Sequence, residues 1–435
     1  MNLTRYQWTV LFAAWLGWGF DIFDGLLFNY VAPNCVPTLL HLTIGSPEAK
    51  SATLYWTGLI TSVLLLGWAF GGIVFGYVAD RIGRVKTLLL TMLLYAIGTA
   101  SCALAPNIEV LLLCRIIASL GIGGEWAAGA SMVAEVMPEK YRIEAGALLY
   151  TSAPMGLFLA TFVNSQIAGV LFHDSPETSW RYVFLAGLIP AVVAFTVRFF
   201  IKEPEAWEQE KEPSQFKEIF APGLRKNTLS GLLMAVIALL TWWSSNAFIP
   251  VVASGLAQAF AKSQSIPADH LQATIEQWKT TLTNSFNIGG LIGTLLTIPA
   301  AKILGRKWMF VIYFALSSLA VTFTFGSFHS SSLEISSWAW LYFAIGLTVF
   351  GVFGSFTFYL PELFPTRLRA TGAGFCYNAG RTITAIGPFL VGQIASNKAN
   401  VLQGAFGVLF LIGFIPLIGI VLMPWVLETK NRQNI

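Results

Sequence analysis

The sequence predicts an all-α membrane protein of twelve transmembrane helices, arranged as two pseudo-symmetric bundles of six. Three observations predict it. Hydrophobic residues make up 55% of the chain and charged residues only 11%, whereas a soluble domain carries about 25% charge. A bilayer crossing needs about 20 apolar residues, and the 435 residues break into apolar runs of that size joined by short loops. One long polar stretch, KEPEAWEQEKEPSQFKEIFAPGLRK, divides those runs six and six.

In chain order the spans are expected at 6–31, 55–79, 87–105, 108–132, 143–171, 181–201, 227–256, 280–303, 308–328, 338–360, 370–396 and 402–426. Residues 1–201 then form an N-terminal bundle and 202–226 a cytoplasmic linker with a short surface helix at 214–220. Residues 227–435 form a C-terminal bundle ending in a short cytoplasmic tail. Lys and Arg favour the inner face of a membrane. With the N-terminus inside, the inner loops carry Arg81, Arg84, Lys86, Lys140, Arg142, Arg306, Lys307, Arg367 and Arg369, among others. The outer loops carry only Lys50, Arg181, Lys262, Lys279 and Lys398, so both termini are expected in the cytoplasm. The net charge of +4 is small and reads as topology, with no nucleic-acid partner. Cys35, Cys102, Cys114 and Cys376 show neither a disulfide framework nor metal-ligand spacing, and no metal or cofactor is expected. The first apolar run lacks a signal-peptide cleavage pattern and is expected to stay in the mature chain.

The loop GYVADRIGRVK after the second span gathers Gly76, Asp80, Arg81, Gly83 and Arg84. Its glycines permit a close reversal, and its acid can cap a helix or pair with an arginine. A plain solvated basic loop would share the charge but not the spacing G-x-x-x-D-R-x-G-R. Two further loops repeat at a half-chain offset. AEVMPEKYR holds Glu135 and Arg142, and PELFPTRLR holds Glu362 and Arg369, both as E-x-x-P-x-x-x-R. Gly305 and Arg306 echo Gly83 and Arg84, but Lys302 stands where Asp80 does, so the two latches are unequal. Parallel six-span repeats are the plan of a two-bundle rocking transporter. Glycines such as Gly67, Gly71, Gly289 and Gly293 read as helix-packing residues.

Ionisable groups at bilayer depth are costly and mark pathways. The first span holds Asp21 and Asp24, three apart on one helix face. Two close carboxylates repel, which lets one hold a proton near neutral pH; a purely structural pairing is the alternative. In the fourth span, Arg115 and Glu125 lie about 80° and 15 Å apart on an ideal helix and cannot pair with each other. Arg115 therefore needs a partner on another helix, Asp21 or Asp24, while Glu125 serves either proton coupling or a structural network near Glu135. Arg381 sits near the middle of the eleventh span, with Tyr377 and Asn378 one turn before it and Thr384 one turn after. A guanidinium flanked by a phenol and an amide is a carboxylate-binding set; the alternative is an ion pair to an acid of the N-terminal half. Trp242, Trp243, Asn246, Asn284, Asn287, Phe356 and Tyr359 add aromatic and amide groups suited to a small, partly polar solute.

The motifs GYVADRIGRVK, RIIASLGIGGEW, GFDIFDG, the two E-x-x-P-x-x-x-R loops and CYNAGR together resemble the metabolite:proton symporters of the major facilitator superfamily. The chain is most similar to the sialate:proton symporter group, which includes sialic acid and lactate permeases. The resemblance implies alternating access, gating by the loops that hold Asp80, Arg81, Arg84, Glu135, Arg142, Glu362 and Arg369, and inward co-transport of an organic anion with a proton. It implies coupling roles for Asp21 and Asp24 and a binding role for Arg381. The histidine and aspartate of the lactate-permease seventh span are absent from LLTWWSSNAFIP, which argues against lactate. The expectation is uptake of a monocarboxylate or acidic sugar by a monomer in a bacterial inner membrane. Its rivals are a neutral sugar or polyol carrier, which would need a permanent acid for Arg381, and a non-transporting receptor. No nucleophile–base pair suggests an enzyme.

Overall fold

The computed structural model describes residues 3–430 apart from 83, 139–140, 190–191, 194–195, 197–214, 327–333, 366–367 and 398–400. Side chains at 76–77, 79–81, 84, 124–132, 134–135, 142–143, 361, 369–370 and 401 also lie outside the described set. The described residues are helical and contain no strand.

The first four spans are unbroken helices: α1 (Arg5–Leu39), α2 (Pro47–Ile82), α3 (Arg84–Cys102) and α4 (Ile108–Val136). The fifth is α5 (Arg142–Tyr150) and α6 (Ser152–Gln166), closed by a π turn at Ile167–Leu171, and the sixth opens with α7 (Pro176–Ala186). The seventh is α8 (Arg225–Asn246) and α9 (Ile249–Ser263); the eighth is α10 (Ala268–Leu304) and the ninth α11 (Arg306–Phe325). The tenth runs from α12 (Ile335–Ile345) through a π turn and a 3-10 turn to α13 (Phe356–Glu362). The eleventh is α14 (Arg369–Thr384) and α15 (Ile386–Ser396), and the twelfth α16 (Val401–Ile412) and α17 (Ile415–Val421).

Three elements differ from the expectation. α1 continues to Leu39 through Pro33 and Pro37, past the expected end at 31. Its last two turns are buried almost throughout, and neighbouring helices can satisfy the backbone groups that a proline frees. α10 begins at Ala268 rather than 280. Its added turns, ADHLQATIEQWK, bury Ile275 and Trp278 and expose polar neighbours, an amphipathic pattern that a test for continuous apolarity misses. Lys279, expected in an outer loop, is therefore in a helix and 1% exposed. The expected surface helix at 214–220 is one 3-10 turn, Phe216–Phe220, whose rings pack on Phe375 of α14 while Ile219 is buried. Linker residues 202–214 lie outside the described residues.

The two halves meet at both ends of the molecule. At the end bearing both termini, Lys302 Nζ of α10 lies 2.7 Å from Glu144 Oε1 of α5, and Gly146 faces Thr357 of α13. At the far end α2 crosses α15, where Ser51 Oγ donates to Ser396 O at 2.7 Å. A Cβ added to Gly58 there would collide with Pro388 O, so glycine is what allows this close approach. α6 crosses α10 beside it, with Thr161 and Thr283 hydroxyls 3.4 Å apart.

Candidate functional site

Among the described residues four spans break, the fifth at 151, the seventh at 247–248, the eleventh at 385 and the twelfth at 413–414, and the tenth changes helical form at 346–355. Discontinuous helices are where transporters commonly build solute sites. Arg381 occupies the last turn of α14, just before the break. The negative end of a helix dipole favours a cation there. Its guanidinium carbon stands 4.3 Å from the Trp68 ring centre and 4.9 Å from that of Tyr377. One terminal nitrogen donates to Asn378 Oδ1 at 2.9 Å. Arg381 is 3% exposed, and its Nε has no hydrogen-bond partner. Among the described residues no carboxylate lies within ion-pair distance of it. An unpaired cation in so dry a place is expensive.

Around this arginine the chain assembles aromatic walls. Trp68 meets Trp243 edge-on at 5.9 Å, and Trp243 meets Trp242 at 4.6 Å. Trp242 packs on Phe350 and Phe353, and Tyr150 of the N-terminal half stacks on Phe353 at 6.1 Å. Phe356 touches Tyr377. Trp68, Tyr150, Phe350 and Phe353 were not among the sequence-level site residues, because a ring in an apolar span gives no sign of its direction.

The expected polar residues divide. Asn378 and Tyr377 lie against Arg381. Asn287 is buried on α10 one turn after Thr283, at the contact between halves, and its Nδ2 has no hydrogen-bond partner. Asn246 is buried beside the break in the seventh span. Asn284 Oδ1 is buried without a partner. Tyr359 turns away: its hydroxyl meets Ser230 at 2.6 Å and Leu427 O at 3.1 Å, inside the C-terminal half near the terminal end.

The acid–arginine pair of the first bundle joins α1, α3 and α4. Asp24 Oδ2 accepts from Thr99 at 2.6 Å, and Oδ1 lies 3.9 Å from an Arg115 terminal nitrogen. The other Arg115 terminal nitrogen donates to main-chain Asp24 O and Gly25 O at 3.2 and 2.7 Å. The arginine is thus anchored on backbone, and its carboxylate contact is loose. Asp21 is buried one turn earlier. A contact route joins this pair to Arg381: a Cβ on Gly25 would stand 3.5 Å from the Trp68 ring, and Trp68 lies under the Arg381 guanidinium.

Of the loop residues, Gly83 and the side chains of Asp80, Arg81, Arg84, Glu125, Glu135, Arg142 and Arg369 lie outside the described residues. Gly76 lies in the last turns of α2. Glu362 takes a two-point contact from Arg306, at 2.6 and 3.0 Å, and also accepts from Thr429 at 2.5 Å. Glu428 closes the neighbouring helix start, accepting from main-chain N–H of Arg306, Lys307 and Lys430 at 2.9–3.0 Å. Burial pushes the Glu428 carboxyl up, but these backbone donors and Arg306 outweigh it and hold it below the usual glutamate range.

The profile of the Major Facilitator Superfamily matches residues 8–388. The chain is 28% identical over 400 residues to the cis,cis-muconate transport protein of Acinetobacter baylyi, covering 87% of this chain and 88% of that one. It is 27% identical over 391 residues to the sialic acid transporter NanX of Escherichia coli K12, covering 89% and 87%. Among solved structures it superposes on a D-xylose–proton symporter with a TM-score of 0.73 at 18% identity, covering 99% of this chain and 100% of that one. The chain therefore belongs to the Major Facilitator Superfamily and is a multi-pass membrane transporter rather than an enzyme.

Proposed function

We propose that this transporter takes up a small organic anion together with a proton. Arg381 binds the carboxylate, and Asp24 carries the proton with Arg115 and Thr99 as its holders. The observation that carries the reading is the buried guanidinium with no acid beside it among the described residues. A neutral-solute carrier has no use for such a charge, whereas an arriving carboxylate neutralises it and fills the open Nε position. The aromatic walls favour an anion with a flat or apolar body over a heavily hydroxylated one. Both named relatives have carboxylic acids as their named solutes, which supports the anion class. Asp21, Glu125 and the inner loops remain part of the proposal as relay and gating elements, with both termini in the cytoplasm of a bacterial inner membrane and a monomer as the working unit.

The test is uptake of labelled sialic acid, cis,cis-muconate and xylose into proteoliposomes, with and without an inward proton gradient, for wild type and Arg381→Ala. Gradient-driven accumulation of an acid, lost in Arg381→Ala, is the expected result. Gradient-independent uptake of xylose alone would overturn the proposal.

A further inference from the structure

At the far end, where α6 of the first half crosses α10 of the second, a charged pair lies inside the contact. Lys279 Nζ sits 2.7 Å from Glu276 Oε1, and the two side chains are 1% and 2% exposed. The same oxygen accepts from Gln272 Nε2 at 3.0 Å. The other, Oε2, accepts from Asn164 Nδ2 of the opposite half at 2.8 Å. Gly169 closes over the pair, since a Cβ there would stand 3.1 Å from the Glu276 Cβ. The ion pair is three residues apart on one helix and persists whether or not the halves touch. Its burial does not: it needs Asn164 and Gly169 against it. A desolvated ion pair at this depth gives little or no net stability, and the closed arrangement also leaves Asn164 Oδ1 buried without a partner. Nothing in the transport reading above uses these residues.

We propose that Asn164 and the Glu276–Lys279 pair form the latch that holds the far end closed. The charge-assisted Asn164–Glu276 bond favours closure, while rehydration of the pair and of Asn164 Oδ1 favours opening. The contact is thus a two-state element with a small difference between its states. It rests on movement between the two halves and not on which solute is carried.

The test places a reporter thiol under the latch. Thr283, two turns inward on α10, is buried against Thr161. Thr357 sits at the opposite, terminal-end contact beside Gly146. Cys35, Cys102, Cys114 and Cys376 are buried, so they contribute little background. In purified protein, Asn164→Ala should raise the maleimide reaction rate of Thr283→Cys about tenfold or more, the usual worth of a hydrogen bond to a charged group. The rate at Thr357→Cys should fall, because opening one end closes the other. The double variant Glu276→Gln with Lys279→Gln removes both charges together and leaves a neutral acceptor for Asn164. It should lower Thr283→Cys labelling, because the rehydration that favours opening is gone while Asn164 keeps an acceptor, and it keeps the test available if Asn164→Ala does not fold. Unchanged Thr283→Cys labelling in both backgrounds overturns the latch. So does a rise at both reporter positions, which would mean loosened packing. Because no solute is needed, this result is independent of the carboxylate reading.

Discussion

Replacing Arg381 separates its two consequences, one for the solute and one for the fold. Arg381→Gln keeps a polar side chain of similar reach but removes the charge and the planar fork. The guanidinium Nε is without a partner, so a carboxylate gains at least one charge-assisted hydrogen bond outright, and Asn378 or Tyr377 can yield a second. One or two such bonds at about 1.5–3 kcal/mol each put the loss of affinity between about tenfold and ten-thousandfold, with about a hundredfold as the central expectation. Arg381→Lys keeps the charge but not the stacking between Trp68 and Tyr377, and should fall between. The assay is anion binding followed by tryptophan fluorescence, since Trp68 touches the guanidinium and Trp243 touches Trp68. Stability should move the other way. A buried cation with no acid beside it among the described residues is a cost to the folded state, so Arg381→Gln should melt no lower than the parent in solute-free buffer. A variant that binds the anion within threefold of wild type would refute the assignment. One that loses binding only by melting well below the parent would refute the energetic reasoning.

Four further outcomes follow from the same geometry. Asp24→Asn removes the proposed proton carrier yet keeps a hydrogen-bonding side chain for Thr99; proteoliposome assays should lose gradient-driven accumulation while keeping anion exchange across the membrane. Gly25→Ala should be nearly silent, because its methyl would stand at ordinary contact distance from Trp68. Gly25→Leu should push Trp68 against Arg381 and weaken anion binding from a position that need not touch the solute, read as Kd with Asp24 intact. Glu428→Gln tests the helix start of α11. Because the folded state holds this carboxyl below its ordinary range, its stabilising effect is present above about pH 4.3 and disappears as pH falls through the lower folded value. The melting temperature of Glu428→Gln should therefore lie below wild type at pH 7, with the gap closing as the solution is acidified past the glutamate range.

The number of spans and the key charges were legible in the sequence because the bilayer makes them conspicuous. An arginine in CYNAGRTITAIGP or an aspartate in GFDIFDG stands out against apolar neighbours, and cost alone marks it. The spacing of Arg115 ruled out Glu125 as its partner, and the structure places Asp24 there. What the sequence hides is direction. Trp68, Tyr150, Phe350 and Phe353 resemble ordinary packing residues in a one-dimensional reading; only three-dimensional crossing brings Trp68 against Arg381 and packs Phe350 and Phe353 on Trp242 and Tyr150. Tyr359 shows the converse, a plausible lining residue whose hydroxyl is occupied elsewhere. The Glu276–Lys279 pair escaped notice because its segment is amphipathic and sits beside a real loop. The break at 247–248 carried a faint signal in the nearby Pro250, and that at 385 in Gly387 and Pro388, residues that free or redirect backbone.

The two ends of the interface are held by chemically different contacts. Lys302–Glu144 at the terminal end is half exposed, with side chains 49% and 33% accessible. A pair in that setting is worth about 0–1 kcal/mol and is screened by salt. Asn164–Glu276 at the far end is buried and therefore little screened, but it offsets the desolvation of the ion pair behind it. Neither contact is strong, which suits a carrier. A ligand can redistribute conformations only by its differential affinity for them, and a 98-percentage-point swing takes about 5.5 kcal/mol. Strong latches at both ends would demand more than one small anion and one proton can supply. Weak, unlike latches leave the balance to whatever happens at the centre. There the unpaired charge of Arg381 and the loose Asp24–Arg115 contact are joined through Gly25 and Trp68. A bound carboxylate neutralises Arg381 in the closed state, and protonation of Asp24 removes a buried carboxylate while Arg115 keeps its hydrogen bonds to main-chain Asp24 O and Gly25 O. Carboxylate and proton should thus favour occlusion most when bound together, which is the thermodynamic requirement for symport.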